Sequence, residues 1–191
     1  MATVREGSKG VLIVVDVQVG VVKMAWETAR IVGNVARAVE RARNQNVPVI
    51  WVQHSNDDLP HGSEAWQWAP PLVPAEDELL IHKHFNSSFE ATTLDQELAR
   101  LGATHITLAG AATNWCIRAT AYAALERGYD LTLLADGHTT KSMDLDNGTR
   151  IDAANLVKEL NIAMTWLSYP GRINAIAKTE DATFSVVKTA H

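Results

Sequence analysis

Val11-Leu12-Ile13-Val14-Val15-Asp16 is an unbroken apolar run that ends in an acidic residue. A β-branched run without polar alternation is typical of a strand that is buried on both faces of a sheet. An acid at the end of such a strand is costly to bury unless it is paired or functional. Asp16 is therefore a candidate functional residue, although capping of a loop or a salt bridge would also explain it. Gln18, two positions later, is expected on the same side of the chain.

Five more short apolar segments continue the strand pattern, and helical spacing separates most of them. The predicted strands are 11–16, 47–52, 79–82, 105–109, 130–135 and 163–167. The predicted helices are 28–44, a helix capped by Thr93 and closed by Gly102, 115–127 and 149–161. This order predicts an α/β fold of three layers, α/β/α, around a six-stranded parallel sheet.

Two segments fall outside this pattern. Residues 54–78 are irregular and rich in proline, and loops of that length are usually functional or disordered. Trp66 and Trp68 favour an ordered loop that lines a site. The tail from Pro170 onward is polar and weakly patterned, so we expect it to pack against another subunit or to be partly disordered.

Composition narrows the class of protein. The chain has 191 residues, of which 47% are hydrophobic and 20% charged, which fits one soluble globular domain. A net charge of −5 offers no general attraction to nucleic acid or to an anionic membrane, and we expect neither as a partner. The polar first ten residues lack the apolar core of a signal peptide. A single cysteine favours a reducing compartment, so we expect a cytoplasmic protein.

That cysteine, Cys116, follows the fourth predicted strand in the segment 110–116. A lone cysteine is more often an inert residue of the core. At a strand-to-helix turn, however, a thiol faces the positive end of the helix dipole, which predicts a lowered pKa. The same turn offers backbone N–H groups for a developing oxyanion. Position therefore makes Cys116 a candidate nucleophile.

Lys83 completes a set of three with Asp16 and Cys116. A lysine is usually solvated, but all three residues follow predicted strands, and parallel strands present their carboxyl ends at one ligand-binding edge. Together they form a coherent device: the carboxylate takes the thiol proton, the lysine balances charge, and the thiolate attacks a carbonyl carbon. His82 and His84 should point opposite to Lys83, so we do not expect them to be catalytic.

Three ordered segments, 14–18, 83–89 and 110–120, give the chain a likeness to a known family. Between residues 10 and 170 it resembles the isochorismatase-like cysteine hydrolases, which include nicotinamidases and N-carbamoylsarcosine amidohydrolase. The resemblance implies the strand order 3-2-1-4-5-6, catalytic roles for Asp16, Lys83 and Cys116, and homo-oligomers. It also implies a cis peptide between Ala111 and Ala112 that aims backbone N–H groups at the substrate carbonyl. We expect a single domain of this type over 1–191, with a tail from about 170.

The chain departs from the nicotinamidases after the second predicted strand. Those enzymes carry an Asp and histidines there that bind a metal. Here His54 is flanked by Gln53 and Ser55, so the Asp-x-His arrangement is absent. His54 and His61, with the acids of 57–58 between them, could bind a divalent ion. We expect loop hydrogen bonding instead, with no metal and no cofactor.

The tryptophans bear on the substrate. Four lie in predicted loops or at a helix start and are candidates to wall a pocket for a flat or apolar small molecule, or to pack loops or a subunit interface: Trp26, Trp66, Trp68 and Trp115. Trp51 and Trp166 lie in predicted strands and are expected in the core.

The residues favour a cysteine-dependent hydrolase that cleaves an amide, carbamoyl or imide C–N bond of a small molecule through a thioester, with Asp16 as acid and base. One alternative is hydrolysis of a vinyl ether or ester on the same fold. The other is a binding domain that keeps the fold without catalysis. A nucleotide site is disfavoured, because neither G-x-G-x-x-G nor G-x-x-x-x-G-K-[ST] occurs.

Overall fold

The computed structural model describes residues 5–184. The first four residues of the polar N-terminal segment and the last seven of the predicted tail, 185–191, lie outside the described residues. The strands are β1 (Lys9–Val15), β2 (Val49–His54), β3 (Leu79–Lys83), β4 (Ala103–Ala111), β5 (Asp130–Thr139), β6 (Met143–Asp144), β7 (Arg150–Ile151) and β8 (Asn174–Ala177). The helices are α1 (Val19–Val22), α2 (Thr28–Asn44), α3 (Leu94–Leu101), α4 (Arg118–Glu126) and α5 (Ala153–Trp166). None of the helices in the described range has the length and apolarity needed to cross a membrane.

Six strands form one sheet in the order β3-β2-β1-β4-β5-β8, and all neighbouring pairs are parallel. β1 lies at the centre, and its residues from Val11 to Val15 have no exposed surface. Leu12 and Val14 pack in the apolar layer that includes α2, whereas Ile13 and Val15 pack in the layer that includes α3, α4 and α5. The predicted three-layer fold is confirmed. The predicted strand order 3-2-1-4-5-6 is confirmed as well, with β8 as the sixth strand of the sheet.

The sixth strand of the sheet is not the segment predicted for it. Residues 163–167 form the end of α5 and its C-cap, and Trp166 is 81% exposed instead of lying in the core. Leu160 and Met164, one helical turn apart, are the buried residues there. A short apolar run fits a helix and a strand equally well, so its pattern did not separate the two. The sixth strand of the sheet is β8, which pairs with β5 at one edge. It lies in the tail that we expected to be partly disordered or to pack against another subunit.

Other elements differ from prediction mainly at their ends. α2 has the predicted bounds, and α3 ends as predicted at Gly102, whose φ is +66°. Thr93 precedes α3 but makes no cap hydrogen bond with its side chain. β5 continues past the predicted end to Thr139, with a shift of register against β4. α5 starts at Ala153 because the residues before it pair with β6 in a short antiparallel hairpin.

Candidate active site

Three side chains that the sequence singled out meet at the carboxyl edge of the sheet. Asp16 directly follows β1, Lys83 ends β3, and Cys116 lies in the turn after β4. Lys83 Nζ is 2.6 Å from Asp16 Oδ2 and donates a hydrogen bond to Cys116 Sγ at 3.4 Å. A carboxylate, a cation and a thiol in mutual contact can carry out proton transfer from the thiol.

Asp16 is held in an uncommon backbone conformation. Its φ of +51° lies in the left-handed region, which non-glycine residues rarely adopt and which recurs at functional sites. Its N–H donates to the Val52 carbonyl at 2.9 Å, which ties the end of β1 to β2. The residue is 1% exposed. Burial raises the pKa of Asp16 and the charge of Lys83 opposes the rise, so the carboxylate is a better base than an exposed aspartate.

Lys83 is a buried charge with several partners, not a solvated surface lysine. Besides Asp16 and Cys116, Nζ donates to the Phe85 carbonyl at 3.1 Å and meets His54 Nδ1 at 3.4 Å. Nζ has three hydrogens for these four neighbours and no acceptor, so the ring nitrogen can only accept, sharing a hydrogen with another neighbour. Burial, followed by the charge of Lys83, lowers the pKa of His54 to about 4. Near neutral pH, His54 is therefore uncharged and can accept a hydrogen bond from Lys83.

Cys116 lies in a five-residue π-helical turn, Thr113–Ile117, here called the cysteine turn, which runs directly into α4. The Ala112 carbonyl anchors this turn, since it accepts from the N–H of Trp115 at 3.0 Å and of Ile117 at 3.2 Å. The predicted helix at 115–127 is thus divided between this turn and α4.

The predicted lowering of the Cys116 pKa is wrong. Burial raises the pKa of the thiol to about 12, Asp16 adds to the rise, and Lys83 opposes it. A thiolate here would be largely removed from water and would lie beside a carboxylate, and both effects disfavour it. The resting site therefore keeps the proton on sulfur, and the ion pair with Lys83 holds the negative charge on Asp16.

The chain that leads into the cysteine turn approaches β1 unusually closely. Gly110 has a φ of +133°, and a Cβ there would lie 1.9 Å from the Val15 carbonyl oxygen. Only glycine tolerates both conditions. One residue further on, the peptide bond between Ala111 and Ala112 is cis, as the resemblance implies. This close contact brings Cys116 beside the strand that carries Asp16.

Gln18 is a buried link between backbone segments. Its Nε2 donates to the carbonyls of His54 at 3.0 Å and Trp66 at 2.9 Å, and its Oε1 accepts from the His54 N–H at 3.0 Å. Both amide hydrogens are used within the protein. The side chain therefore supports the end of β2 and the loop after it, and its predicted contact with substrate gains no support.

Trp66 and Trp68 pack within the protein. The Trp66 ring lies 4.3 Å from the His61 ring, and the Trp68 ring lies 4.9 Å from that of Trp51. Trp51 is fully buried, as predicted. For these two residues the contacts favour loop packing over a pocket wall.

Trp26 and Trp115 are the other two tryptophans that the sequence proposed for a pocket wall. The Trp26 carbonyl accepts from Thr139 Oγ1 at 2.6 Å, which fastens its loop to the end of β5. Trp115 precedes Cys116 and is 53% exposed, and Phe85, two residues after Lys83, is 54% exposed. Exposed apolar residues thus lie within two positions of both Lys83 and Cys116 in the chain.

The segment considered for a metal has other contacts. Within residues 5–184, no three His, Cys, Asp or Glu side chains are arranged as metal ligands. His54 contacts Lys83, and His61 packs on Trp66. His82 and His84 are exposed where Lys83 is buried, which is the alternation expected of β3.

One buried residue of this region was missed from the sequence. His138 has no exposed surface and lies opposite Gly110 in the sheet. Its Nδ1 is 2.9 Å from Thr113 Oγ1, at the start of the cysteine turn. The prediction ended β5 at residue 135, which left His138 in an assumed loop. A histidine directly after a buried strand, at the edge that carries the other candidates, was the available signal.

Comparison with known proteins places this geometry in a family. The family model described as the isochorismatase domain matches residues 10–166. Over 137 residues the chain is 31% identical to a streptothricin hydrolase of Streptomyces noursei, covering 68% of this chain and 54% of that protein. Over 126 residues it is 27% identical to a maleamate amidohydrolase of Pseudomonas putida, covering 58% of this chain and 59% of that protein. The crystal structure of an isochorismatase from Pseudomonas putida has a TM-score of 0.77 at 25% identity, covering 89% and 88% of the two chains. The chain belongs to the isochorismatase family of hydrolases.

Proposed function

We propose that this protein hydrolyses an amide, carbamoyl or imide C–N bond of a small molecule, with Cys116 as the nucleophile and a thioester as the intermediate. The observation that carries the proposal is the contact of Lys83 Nζ with both Asp16 Oδ2, at 2.6 Å, and Cys116 Sγ, at 3.4 Å. The carboxylate and the thiol are thereby held around one cation.

Asp16 acts first as a base. The Cys116 thiol is protonated at rest, because burial and Asp16 raise its pKa to about 12. As Sγ bonds to the substrate carbonyl carbon, the S–H proton passes to Asp16, whose own raised pKa favours taking it. Lys83 stabilises the negative charge both when it is on the Asp16 carboxylate and when it develops on the Cys116 sulfur.

Asp16 then acts as an acid. It returns the proton to the leaving nitrogen as the C–N bond breaks, and an amine or ammonia departs. Water adds to the thioester carbonyl, gives a proton to Asp16, and releases the carboxylic acid. The Cys116 sulfur leaves and recovers its proton, so the site ends as it began.

Two backbone N–H groups, one in the cysteine turn and one directly before it, complete the mechanism. We assign the N–H groups of Ala112 and Cys116 to the oxyanion that forms when sulfur adds to the carbonyl. Such donors act in a site with little water, where one donor contributes about 10²–10³ in rate.

The name of one relative, a maleamate amidohydrolase, supports the bond type. A second relative, a streptothricin hydrolase, supports hydrolysis of a small molecule. The exposed apolar residues Phe85 and Trp115, near Lys83 and Cys116 in the chain, are our candidates to contact the part of the substrate beyond its carbonyl group.

Ammonia release from a panel of small primary amides, including maleamate and nicotinamide, tests the proposal. We expect turnover that is abolished in Cys116→Ala and reduced about 10²–10⁴-fold in Asp16→Asn. Asp144→Asn, which changes an exposed carboxylate of β6, is the matched control and should keep full activity. Release that survives in Cys116→Ala would refute the nucleophile. Turnover of an ester or vinyl ether without ammonia would favour the other bond type.

Alkylation of Cys116 by iodoacetamide tests the charge coupling without a substrate, and the single cysteine makes labelling specific. Asp16→Asn removes a charge that raises the pKa of the thiol, so alkylation should be faster than in the wild type at pH 8. Lys83→Met removes a charge that lowers this pKa, so alkylation should be slower. Identical profiles in all three proteins would contradict the coupled site.

A further inference from the structure

A buried chain of hydrogen bonds runs from α5 through β5 to the cysteine turn. Asn161 Nδ2 donates to the Ala135 carbonyl at 3.0 Å. Asn161 Oδ1 lies 3.1 Å from His138 Nε2, and His138 Nδ1 lies 2.9 Å from Thr113 Oγ1. His138 and Thr113 have no exposed surface. Each side chain thus fixes the next, from a helix on one face of the sheet to the start of the turn.

The direction of every hydrogen bond in this chain follows from the first. Since Asn161 gives its amide hydrogen to Ala135, its Oδ1 is left to accept, and His138 Nε2 must carry the hydrogen. Burial lowers the pKa of His138 to about 4, so the ring is neutral and Nδ1 has no hydrogen. Thr113 Oγ1 must therefore donate to Nδ1. A single tautomer satisfies both ring nitrogens.

A second contact holds the next residue of the turn. Thr140 Oγ1 donates to Asn114 Oδ1 at 2.6 Å, and Asn114 Nδ2 meets Met143 Sδ at 3.3 Å. The end of β5 therefore holds Thr113 through His138 and Asn114 through Thr140. Cys116 itself lies two residues further on.

We propose that His138 is a positioning residue that acts through Thr113, fixing the cysteine turn so that Cys116 Sγ stays in contact with Asp16 and Lys83. The proposal rests on the proposed function in treating Cys116 as the nucleophile. Burying an imidazole is costly unless its nitrogens are satisfied, and this ring bonds Asn161 through Nε2 and the turn through Nδ1. Neither His138 nor Thr113 needs to touch the substrate.

The chain offers a matched control for this hydrogen bond. Thr132 Oγ1 of β5 and His105 Nε2 of β4 also lie 2.9 Å apart, near the amino-terminal end of the sheet. Thr132→Val and Thr113→Val each remove a threonine hydroxyl from a histidine ring in the same sheet. Only Thr113→Val acts on the cysteine turn, so stability effects common to both variants can be separated from positioning.

The test is the pH profile of Cys116 alkylation by iodoacetamide in Thr113→Val, Thr113→Ser and Thr132→Val. A loosened turn exposes the thiol and separates it from Asp16, so Thr113→Val should be alkylated about tenfold faster at pH 8. Thr113→Ser keeps the hydroxyl and should stay within about twofold of the wild type, as should Thr132→Val. Asn161→Ala, which frees the far end of the chain, should shift the profile in the same direction as Thr113→Val.

A wild-type profile in Thr113→Val would overturn the proposal, and so would an equal shift in Thr132→Val, because the effect would then be general loosening. Alkylation needs no substrate, so this result is independent of amide hydrolysis. A shift confined to Thr113→Val and Asn161→Ala, together with absent ammonia release from the wild type, would refute the proposed function and leave the positioning role intact.

Discussion

Removing Lys83 from the site should expose how strongly its charge is coupled to Asp16. The two side chains are 0% and 2% exposed and lie 2.6 Å apart. Lys83→Met leaves a buried carboxylate without its counter-charge, and losing one partner of such a pair costs about 3–5 kcal/mol. Asp16→Asn leaves the ammonium without its counter-charge and should cost a similar amount. The double variant buries neither charge, so its loss should be smaller than the sum of the two by about 2–3 kcal/mol.

The assay is urea unfolding followed by tryptophan fluorescence, for the wild type, both single variants and the double variant. The exposed pair of Lys178 and Glu180, 3.9 Å apart, supplies a matched cycle of the same charges. Its coupling should stay below about 0.5 kcal/mol, because solvent screens an exposed pair. Additive losses at Lys83 and Asp16, or a loss below about 1 kcal/mol in Lys83→Met, would refute the reasoning.

The same variant should show a characteristic pH dependence. Without Lys83, only the hydrogen bonds with Cys116 and the His54 backbone oppose burial, so the pKa of Asp16 rises further above its ordinary value. A group whose pKa is raised on folding stabilises the fold below its unfolded pKa and loses that contribution as pH rises through its folded pKa. The stability deficit of Lys83→Met should therefore shrink as pH is lowered from 7 towards 4. A deficit that is constant with pH would show that Asp16 is not the group left unpaired.

Three further predictions follow from residues around the site and at the edge of the fold. Burial lowers the pKa of His138 to about 4, so the wild type should lose stability as pH falls from about 6.5 to 4. In urea unfolding, His138→Gln should lose less stability than the wild type over that pH range, by about 2 kcal/mol. An equal loss in both proteins would contradict the buried neutral ring. Gly110→Ala should lose about 3 kcal/mol or more, or fail to fold by circular dichroism, since its Cβ meets the Val15 carbonyl at 1.9 Å; near wild-type unfolding would refute the close approach of β1 and β4. Trp166→Ser should change the free energy of unfolding by less than about 0.5 kcal/mol, because the side chain is 81% exposed. A loss of about 3 kcal/mol would show instead that the side chain is buried in the core.

The meeting of the three candidate side chains at one edge of the sheet could be predicted because strand ends are local features. The run 11–16 marks a buried central strand and the acid that ends it. Parallel strands share one carboxyl edge, so Lys83 and Cys116, each after its own strand, had to lie on that edge. Helix α2 was also predicted with both ends correct, because its apolar spacing is regular over 17 residues.

The protonation states of the site residues could not be predicted from local sequence features. The sequence shows a thiol at a turn before a helix, which by itself predicts a lowered pKa. The raised pKa of Cys116 arises from burial and from Asp16, which is 100 positions away in the chain. Likewise, the lowered pKa of His54 depends first on burial and then on Lys83. Such shifts are sums over neighbours that only folding brings together.

The sequence by itself determined the layered α/β fold, the central strand and the edge that carries Asp16, Lys83 and Cys116, because alternation, apolar runs and strand ends are encoded within a few residues. Only the tertiary structure decided that residues 163–167 close a helix while Asn174–Ala177 supply the last strand. It also decided that His138 is a buried partner of Thr113. The physical reason is the same in each case. A short segment adopts the structure that its distant neighbours stabilise, and an ionisable group adopts the charge state that they stabilise. The local sequence pattern carries no information about those neighbours.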